Sequence, residues 1–222
     1  MNTWLTVEFH CHTRVSKDSL NKVPALLQTA RKRGITRLVI TDHNSICGAI
    51  EAQQMDPELV IIGEEIMTEK GELLAAFVKE LIPPHLPVEE AIRRLRDQDA
   101  FISVSHPFDR YRGWLLPDLL ELIPMVDAIE TFNARCVYAA DNESARQFAL
   151  QHGLSSTVGS DAHILAEVGR AVQTMPYFSN AAELRAAIRQ AESKTRLSGS
   201  TVHLASSFAS LLHKFRNKQN PR

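Results

Sequence analysis

The sequence predicts an α/β fold in which short strands alternate with helices. Seven short apolar runs, several of them rich in Val and Ile, punctuate the chain, and most are separated by stretches with apolar residues at helical spacing. The 222 residues are 44% apolar and 23% charged, which is typical of a globular protein and excludes the disordered, collagen-like and coiled-coil classes.

The seven apolar runs are predicted strands because each is short, apolar or β-branched, and bounded by polar or turn residues. The predicted strands cover residues 5–9, 37–41, 59–62, 73–78, 101–105, 128–132 and 156–159. The segment 63–71 is too short for a crossover helix, so we expect a hairpin between the third and fourth strands. A strictly repeated strand-helix pattern is therefore not expected at this point.

Four amphipathic stretches are predicted helices. They cover residues 23–33, 88–98, 139–152 and 181–191. Gly34 and Gly153 follow the first and third of these, as is typical of helix ends, and Ser179 and Asn180 precede the fourth, where an N-cap is expected.

The chain is predicted to form one domain over residues 1–198, followed by a C-terminal extension over residues 199–222. Apolar residues in the extension recur at helical spacing, and basic residues follow them. This pattern predicts a helix that packs on the domain or on a partner, with a basic tail, and an oligomer could form through it. The apolar residues are Leu204, Phe208, Leu211, Leu212 and Phe215.

Charge and hydropathy exclude several functions. The 25 Lys and Arg residues nearly balance the 26 Asp and Glu residues, so we expect no bulk binding of nucleic acid. No apolar run is long enough to span a bilayer and no signal-peptide pattern is seen, so we expect no membrane association. The three cysteines are too few and too widely spaced for a disulfide framework, which favours the cytoplasm.

Histidines and acids follow the predicted strands. His10 and His12 end the first strand, where alternate residues point to the same side and can chelate one ion. Two solvated imidazoles are the commoner explanation of an isolated pair of this kind. Asp42 and His43 follow the second strand, where a polar residue could instead cap a helix.

Three more strands end in the same way. Glu64 and Glu65 follow the third strand, His106 follows the fifth, and Asp161 and His163 follow the seventh. Because the carboxyl ends of strands in a barrel meet at one mouth, we expect these side chains to lie together. Imidazole and carboxylate groups in this number suit Zn, Mn or Fe and would support more than one ion.

These motifs, in this order, resemble those of the PHP (polymerase and histidinol phosphatase) domain family over residues 5–177. The motifs are H-x-H-T at 10–13, S-K-D-S at 16–19, T-D-H-N at 41–44, G-E-E at 63–65, S-H-P-F at 105–108 and G-S-D-A-H at 159–163. The resemblance implies a distorted, seven-stranded (β/α)7 barrel like a TIM barrel, with the metal site at the C-terminal ends of the strands. It also implies hydrolysis of phosphoesters with two or three divalent ions.

The resemblance carries nine metal ligands over to this chain, with Glu65 as a carboxylate that bridges two ions. The first ion would be bound by His10, His12, Glu65 and Asp161, the second by Glu65, Glu72 and His106, and the third by Asp18, His43 and His163.

Glu72 departs from the pattern of the family, which commonly has a histidine after the glycine that opens this strand. A carboxylate can also bind a metal, but it adds negative charge and favours harder ions. An exposed glutamate at a strand edge is an equally good interpretation of Glu72, because the sequence does not show which way the side chain faces.

Two ions that share Glu65 could share a water, whose lowered pKa would supply a hydroxide for attack on phosphorus. Asp161 and His163 are expected to take part in catalysis with Glu65. Arg112 and Arg135 follow strand ends and are expected to bind the phosphate, since the planar guanidinium donates two parallel hydrogen bonds.

Other charged residues lie close to the motifs. Arg14, Lys17 and Arg110 are further candidates for phosphate binding. Asp42 and Glu130 are expected to orient the imidazoles of the metal ligands.

The leading hypothesis is a metal-dependent phosphoesterase, an ester hydrolase that acts on a small phosphorylated metabolite or a nucleotide. The alternatives are a nuclease acting on nucleic-acid ends, a histidinol phosphatase, a hydrolase of C–N bonds, and a metal-binding module without catalytic activity. The arginines near the motifs favour phosphate over C–N chemistry.

Overall fold

A computed structural model describes residues 4–199 and Val202, and the chain in this part forms one mixed sheet flanked by helices. The strands are β1 Trp4–Cys11, β2 Arg37–Ile40, β3 Val60–Met67, β4 Glu72–Ala76, β5 Phe101–Val104, β6 Ala128–Asn133, β7 Ser155–Gly159, β8 Ala171–Pro176 and β9 Glu192–Thr195. The helices are α1 Val23–Lys32, α2 Cys47–Met55, α3 Val88–Asp97, α4 Leu116–Leu122, α5 Ala139–His152 and α6 Ala181–Ala187.

The strand order is β7-β6-β5-β4-β3-β2-β1-β8-β9. Strands β1, β2 and β3 are parallel to one another, as are β5, β6 and β7, whereas β4 is antiparallel to both of its neighbours. A parallel bridge between Cys11, the last residue of β1, and Ala162, just beyond β7, nearly closes the sheet into a barrel.

The α/β class and all seven predicted strands are confirmed, but the seven-stranded (β/α)7 arrangement is not, because the described sheet has nine strands. Strands β8 and β9 were missed. They pair antiparallel outside β1, and every residue of β9 is exposed, so no apolar pattern marks it.

The hairpin between β3 and β4 is confirmed by their antiparallel pairing. Strand β3 continues to Met67, beyond its predicted end, so Glu64 and Glu65 lie within the strand. Helices α2 and α4 were also missed. The buried face of α2 consists of Gly48, Ala49 and Ala52, and such small residues give little amphipathic signal.

The two faces of the parallel strands contribute to different parts of the core. Leu38 and Ile40 pack with α1 and α2, whereas Val39 packs with Phe9 and Phe101 in the interior. Helix α6 closes the end of the barrel where β5 and β6 begin, since Arg185 donates hydrogen bonds to the Ala100 carbonyl and to Asp127. The opposite end is left open for a site.

The predicted C-terminal helix and basic tail over residues 199–222 lie outside the described residues, apart from Gly199 and Val202. Among the described helices, none has the length and apolar character needed to cross a membrane.

Candidate metal centre and active site

The site lies at the carboxyl ends of the parallel strands. The pairing of β1 with β2 shifts register between Glu8 and Cys11, and bulges of this kind re-aim side chains. As a result Phe9 packs in the interior while His10 and His12 reach the site and Cys11 packs toward the helices. Both histidines are fully buried.

Glu65 is the centre of the site, since each of its carboxylate oxygens faces two histidines. Oε1 lies 3.3 Å from Nε2 of His10 and 3.4 Å from Nε2 of His106. Oε2 lies 3.4 Å from Nε2 of His12 and 2.9 Å from Nδ1 of His43. Glu65 therefore lies between two pairs of histidines.

Asp161 lies on the opposite side of the β1 histidines. Its Oδ1 is 3.5 Å from His10 Nε2, 3.2 Å from His12 Nε2 and 3.3 Å from His163 Nδ1. The backbone of Asp161 has φ of +51°, an uncommon value that costs energy and is retained where neighbours hold it.

Asp18 and Glu72 complete the cluster at its outer edge. Asp18 Oδ2 lies 3.1 Å from Nε2 of His163 and 3.5 Å from Nε2 of His43. Glu72 lies 3.2 Å from His106 and 3.7 Å from His43. Glu72 is only 8% exposed and is therefore not an exposed edge residue.

The donor set fits divalent ions. Several buried ring nitrogens and carboxylate oxygens have no hydrogen-bond partner, although buried polar atoms are nearly always satisfied. They include His10 Nε2, His12 Nε2, His163 Nε2, Glu65 Oε2 and Asp161 Oδ1.

Three groups of donors lie close enough together to share an ion. The donor atoms within each group are all within 4.8 Å of one another. The groups are His10, His12 and Asp161; His43, Glu65 and Glu72; and His12, His43 and His163. Nitrogen and oxygen donors of this kind suit Zn, Mn and Fe.

The electrostatics differ among the donors: they favour the metal-binding state of His12 and Glu65, whereas, against the effect of burial, nearby carboxylates raise the pKa of His10 and His43. Burial, followed by the charges of His163 and His43, lowers the pKa of His12 to about 3, so its ring is neutral. Burial opposes ionisation of Glu65, but the charges of His10 and His43 hold the pKa of this carboxyl well below its usual value.

A family model described as PHP-associated matches residues 139–193. The uncharacterized protein MJ0417 of Methanocaldococcus jannaschii is 36% identical over 172 residues, which cover 75% of this chain and 69% of that protein. The chain belongs to the PHP domain family.

Two solved structures share the fold of this PHP domain. PsfC from Pseudomonas syringae has a TM-score of 0.68 and 16% identity, with 96% of this chain and 99% of that chain covered. A putative metal-dependent phosphoesterase from Bifidobacterium adolescentis has a TM-score of 0.58 and 18% identity, with 71% and 87% covered. At such identities the likeness concerns the fold.

The two arginines predicted to bind phosphate both line a cavity of about 330 Å³ in this PHP domain, together with Asp18, His43 and His163. Arg112 Nη1 donates to Asp161 at 2.8 Å and Nη2 donates to Asp109 at 3.3 Å. Arg135 is buried, with its Nε 3.4 Å from Glu167.

The three further candidates for phosphate binding do not line this cavity. Arg14 and Lys17 are exposed, and Arg110 pairs with Asp141.

The two acids predicted to orient imidazoles act differently. Glu130 Oε1 lies 2.9 Å from His10 Nδ1, and its other oxygen accepts from the His106 backbone N–H at 2.8 Å. Asp42 contacts His12 only indirectly, through Ser16. It accepts a hydrogen bond from Ser16 Oγ at 2.6 Å, and that hydroxyl lies 3.2 Å from His12 Nδ1.

Two buried carboxylates of the PHP domain were missed, and both hold the loop after β7. Glu8 accepts hydrogen bonds from Ser160 and from the Gly169 N–H, at 2.9 Å for the latter. Glu167 accepts from the N–H groups of His163 and Ile164 at 2.9 and 3.1 Å. An acid within an apolar strand was a signal for Glu8, whereas nothing in the sequence marked Glu167.

Proposed function

We propose that this PHP domain is a metal-dependent phosphoesterase acting on a small phosphorylated metabolite or a nucleotide. The observation that carries the proposal is the cluster of buried, unpartnered donors around Glu65, next to two arginines that line the same cavity. Metal ligands and anion-binding groups in one concave site are what hydrolysis of a phosphate ester requires.

Two or three divalent ions, Mn, Zn or Fe, would be held by the nine residues predicted from the sequence. The two oxygens of Glu65 support its role as a bridge between two of these ions, since each faces a different pair of histidines. When bound, the ions would supply Lewis acidity and a water of lowered pKa.

The residues of the chain would position the substrate. Arg112 and Arg135 would bind the phosphoryl oxygens, and the guanidinium favours this because it remains charged and donates along parallel directions. Arg112 also helps to keep Asp161 ionised: burial raises the pKa of this carboxyl, but His10 and Arg112 hold it well below its usual value.

The size of the cavity supports a small substrate rather than a long polymer. At about 330 Å³ it lies at the lower end of the range of roughly 300–1,000 Å³ that small-molecule sites span. The near-zero net charge of the chain also favours a small substrate over a long nucleic acid.

The experiment is to measure metal content and hydrolysis of a panel of phosphorylated metabolites, nucleotides and oligonucleotides with Mn, Zn and Fe. His12→Ala and Asp161→Asn should lose metal and activity. The matched controls are His152→Ala and Asp97→Asn, which change exposed residues of helices α5 and α3. Unchanged activity in both site variants would overturn the proposal, and cleavage of oligonucleotides alone would favour the nuclease alternative.

A further inference from the structure

The cavity at the metal centre is lined by charged groups and by two exposed side chains that carry an aromatic ring and an apolar surface. The charged groups come from several strand ends and include Asp18, His43, Glu72 and His163. Tyr111 and Val137 come from the loops after β5 and β6, which also supply Arg112 and Arg135, and they are 72% and 55% exposed. A ligand that fills this cavity would therefore meet an aromatic ring beside the charged groups.

A single exposed tyrosine is unremarkable on a protein surface, but Tyr111 has a second tyrosine as its neighbour. The interaction with the Tyr138 side chain raises the pKa of Tyr111. The guanidinium carbon of Arg110 lies 3.5 Å from the ring centroid of Tyr138, and Arg110 Nη2 donates to Asp141 at 3.0 Å. Arg110 thus joins Tyr138, the residue before helix α5, to Asp141 within the helix, and Tyr111 lies beside this group.

The same loop couples the tyrosine to the anion-binding arginine. The buried Asp109 carboxylate accepts hydrogen bonds from the N–H groups of Tyr111 and Arg112, at 2.9 and 3.2 Å. These two residues are consecutive, so one tight turn presents an aromatic ring and a guanidinium to the same cavity. A tyrosine ring loses little conformational freedom when a ligand stacks on it, because the side chain has only two torsion angles.

We propose that Tyr111 is a specificity-determining residue on which an aromatic ring in the alcohol part of the substrate stacks. The inference rests on the proposed function, because it places the phosphate at Arg112 and Arg135. The substrates it selects are phosphate esters that carry a planar ring, either an aryl group or the base of a nucleotide. Open-chain sugar and polyol phosphates lack a group for this surface.

Binding and turnover test this proposal separately. Binding is measured by calorimetry on the Mn-loaded full chain with phenylphosphonate and propylphosphonate, whose P–C bonds resist hydrolysis. Turnover is measured as kcat/KM for adenosine 5′-monophosphate, phenyl phosphate and ribose 5-phosphate. The variants are Tyr111→Ala and Tyr111→Phe, with Tyr177→Ala as the control, because Tyr177 is 55% exposed, lies outside this cavity and stacks near Arg37.

The wild type should bind phenylphosphonate at least about fivefold more tightly than propylphosphonate, the factor expected for stacking of one ring. Tyr111→Ala should remove this preference, Tyr111→Phe and Tyr177→Ala should keep it, and ribose 5-phosphate turnover should be the same in all four proteins. A larger loss of kcat/KM in Tyr111→Ala for adenosine 5′-monophosphate than for phenyl phosphate identifies the stacked ring as a nucleotide base. A larger loss for phenyl phosphate identifies it as an aryl group.

Equal affinity of the wild type for the two phosphonates, or a preference that survives in Tyr111→Ala, would overturn the inference. Hydrolysis of esters without a ring preference refutes the role of Tyr111 and leaves the phosphoesterase proposal standing. A ring preference in binding without hydrolysis of any ester supports the role of Tyr111 in ligand binding and refutes the phosphoesterase proposal.

Discussion

The carboxylate of Glu72 lies 3.2 Å from Nε2 of His106, although Glu72 opens β4 and His106 follows β5. The contact exists because β4 runs antiparallel to its neighbours, so its first residue lies at the same rim as the last residues of the other strands. The Glu72 carboxylate thus lies near Glu65, where it could bind the second ion.

We predict that Glu72→Ala lowers the bound metal by about one ion per chain and reduces activity more than the roughly 10- to 100-fold typical of outer-shell changes. Metal content by mass spectrometry and kcat/KM check this. The control is Glu89→Gln, whose side chain is 55% exposed. Full metal content in Glu72→Ala would show that Glu72 is not a ligand.

Glu130→Gln should weaken metal binding about 10- to 100-fold while the fold is retained. The carboxylate contacts Nδ1 of His10 and leaves Nε2 free to face the metal site, whereas an amide cannot supply the same charge. Mn titration gives the Kd, and circular dichroism checks the fold. The surface variant Glu143→Gln should bind Mn like the wild type, and an unchanged Kd in Glu130→Gln would contradict the orienting role.

Arg112→Ala should reduce kcat/KM for a phosphate ester about 10- to 100-fold, since a hydrogen bond to a charged group contributes about 1.5–3 kcal/mol. Arg112→Lys should recover part of this loss because it keeps the charge but not the paired donors. The control is Arg146→Ala, a surface arginine paired with Glu143. If Arg112→Ala and Arg146→Ala behave alike in steady-state kinetics, Arg112 does not bind the substrate.

Removal of metal should destabilise the folded protein. Ions that bind only the native state at 100 times their Kd stabilise it by about 2.7 kcal/mol, which corresponds to a Tm shift of about 5–10 °C for a chain of this size. Differential scanning fluorimetry with Mn or with EDTA measures the shift. His12→Ala should show a much smaller one, and a Tm that is independent of metal in the wild type would argue against the site.

The sequence was sufficient to predict seven of the nine described strands and to identify the side chains that cluster at the site. Apolar runs such as 37–41 mark strands because their burial requires apolar residues, whichever neighbours they pair with. The exposed strand β9 lacked this signal, and its formation depends on pairing with β8. Helix α2, with its face of small residues, was missed for a related reason.

Residues that follow strands, such as His106 and Asp161, were expected at one site because parallel strands present their carboxyl ends together. The orientation of Glu72 required the reversed direction of β4, which only strand pairing reveals. The supporting role of Glu167 depends on contacts with the loop after β7 and with Arg135, and no local pattern encodes these contacts.

The sequence by itself determined the α/β class, the seven strands, the family and the groups that meet at the mouth of the barrel, because periodicity and motif order are local properties of the chain. The tertiary structure alone decided the nine-stranded sheet, the burial of Glu72 and the position of Tyr111 in the same cavity as Arg112 and Arg135. These features depend on strand direction and on contacts between residues far apart in the chain.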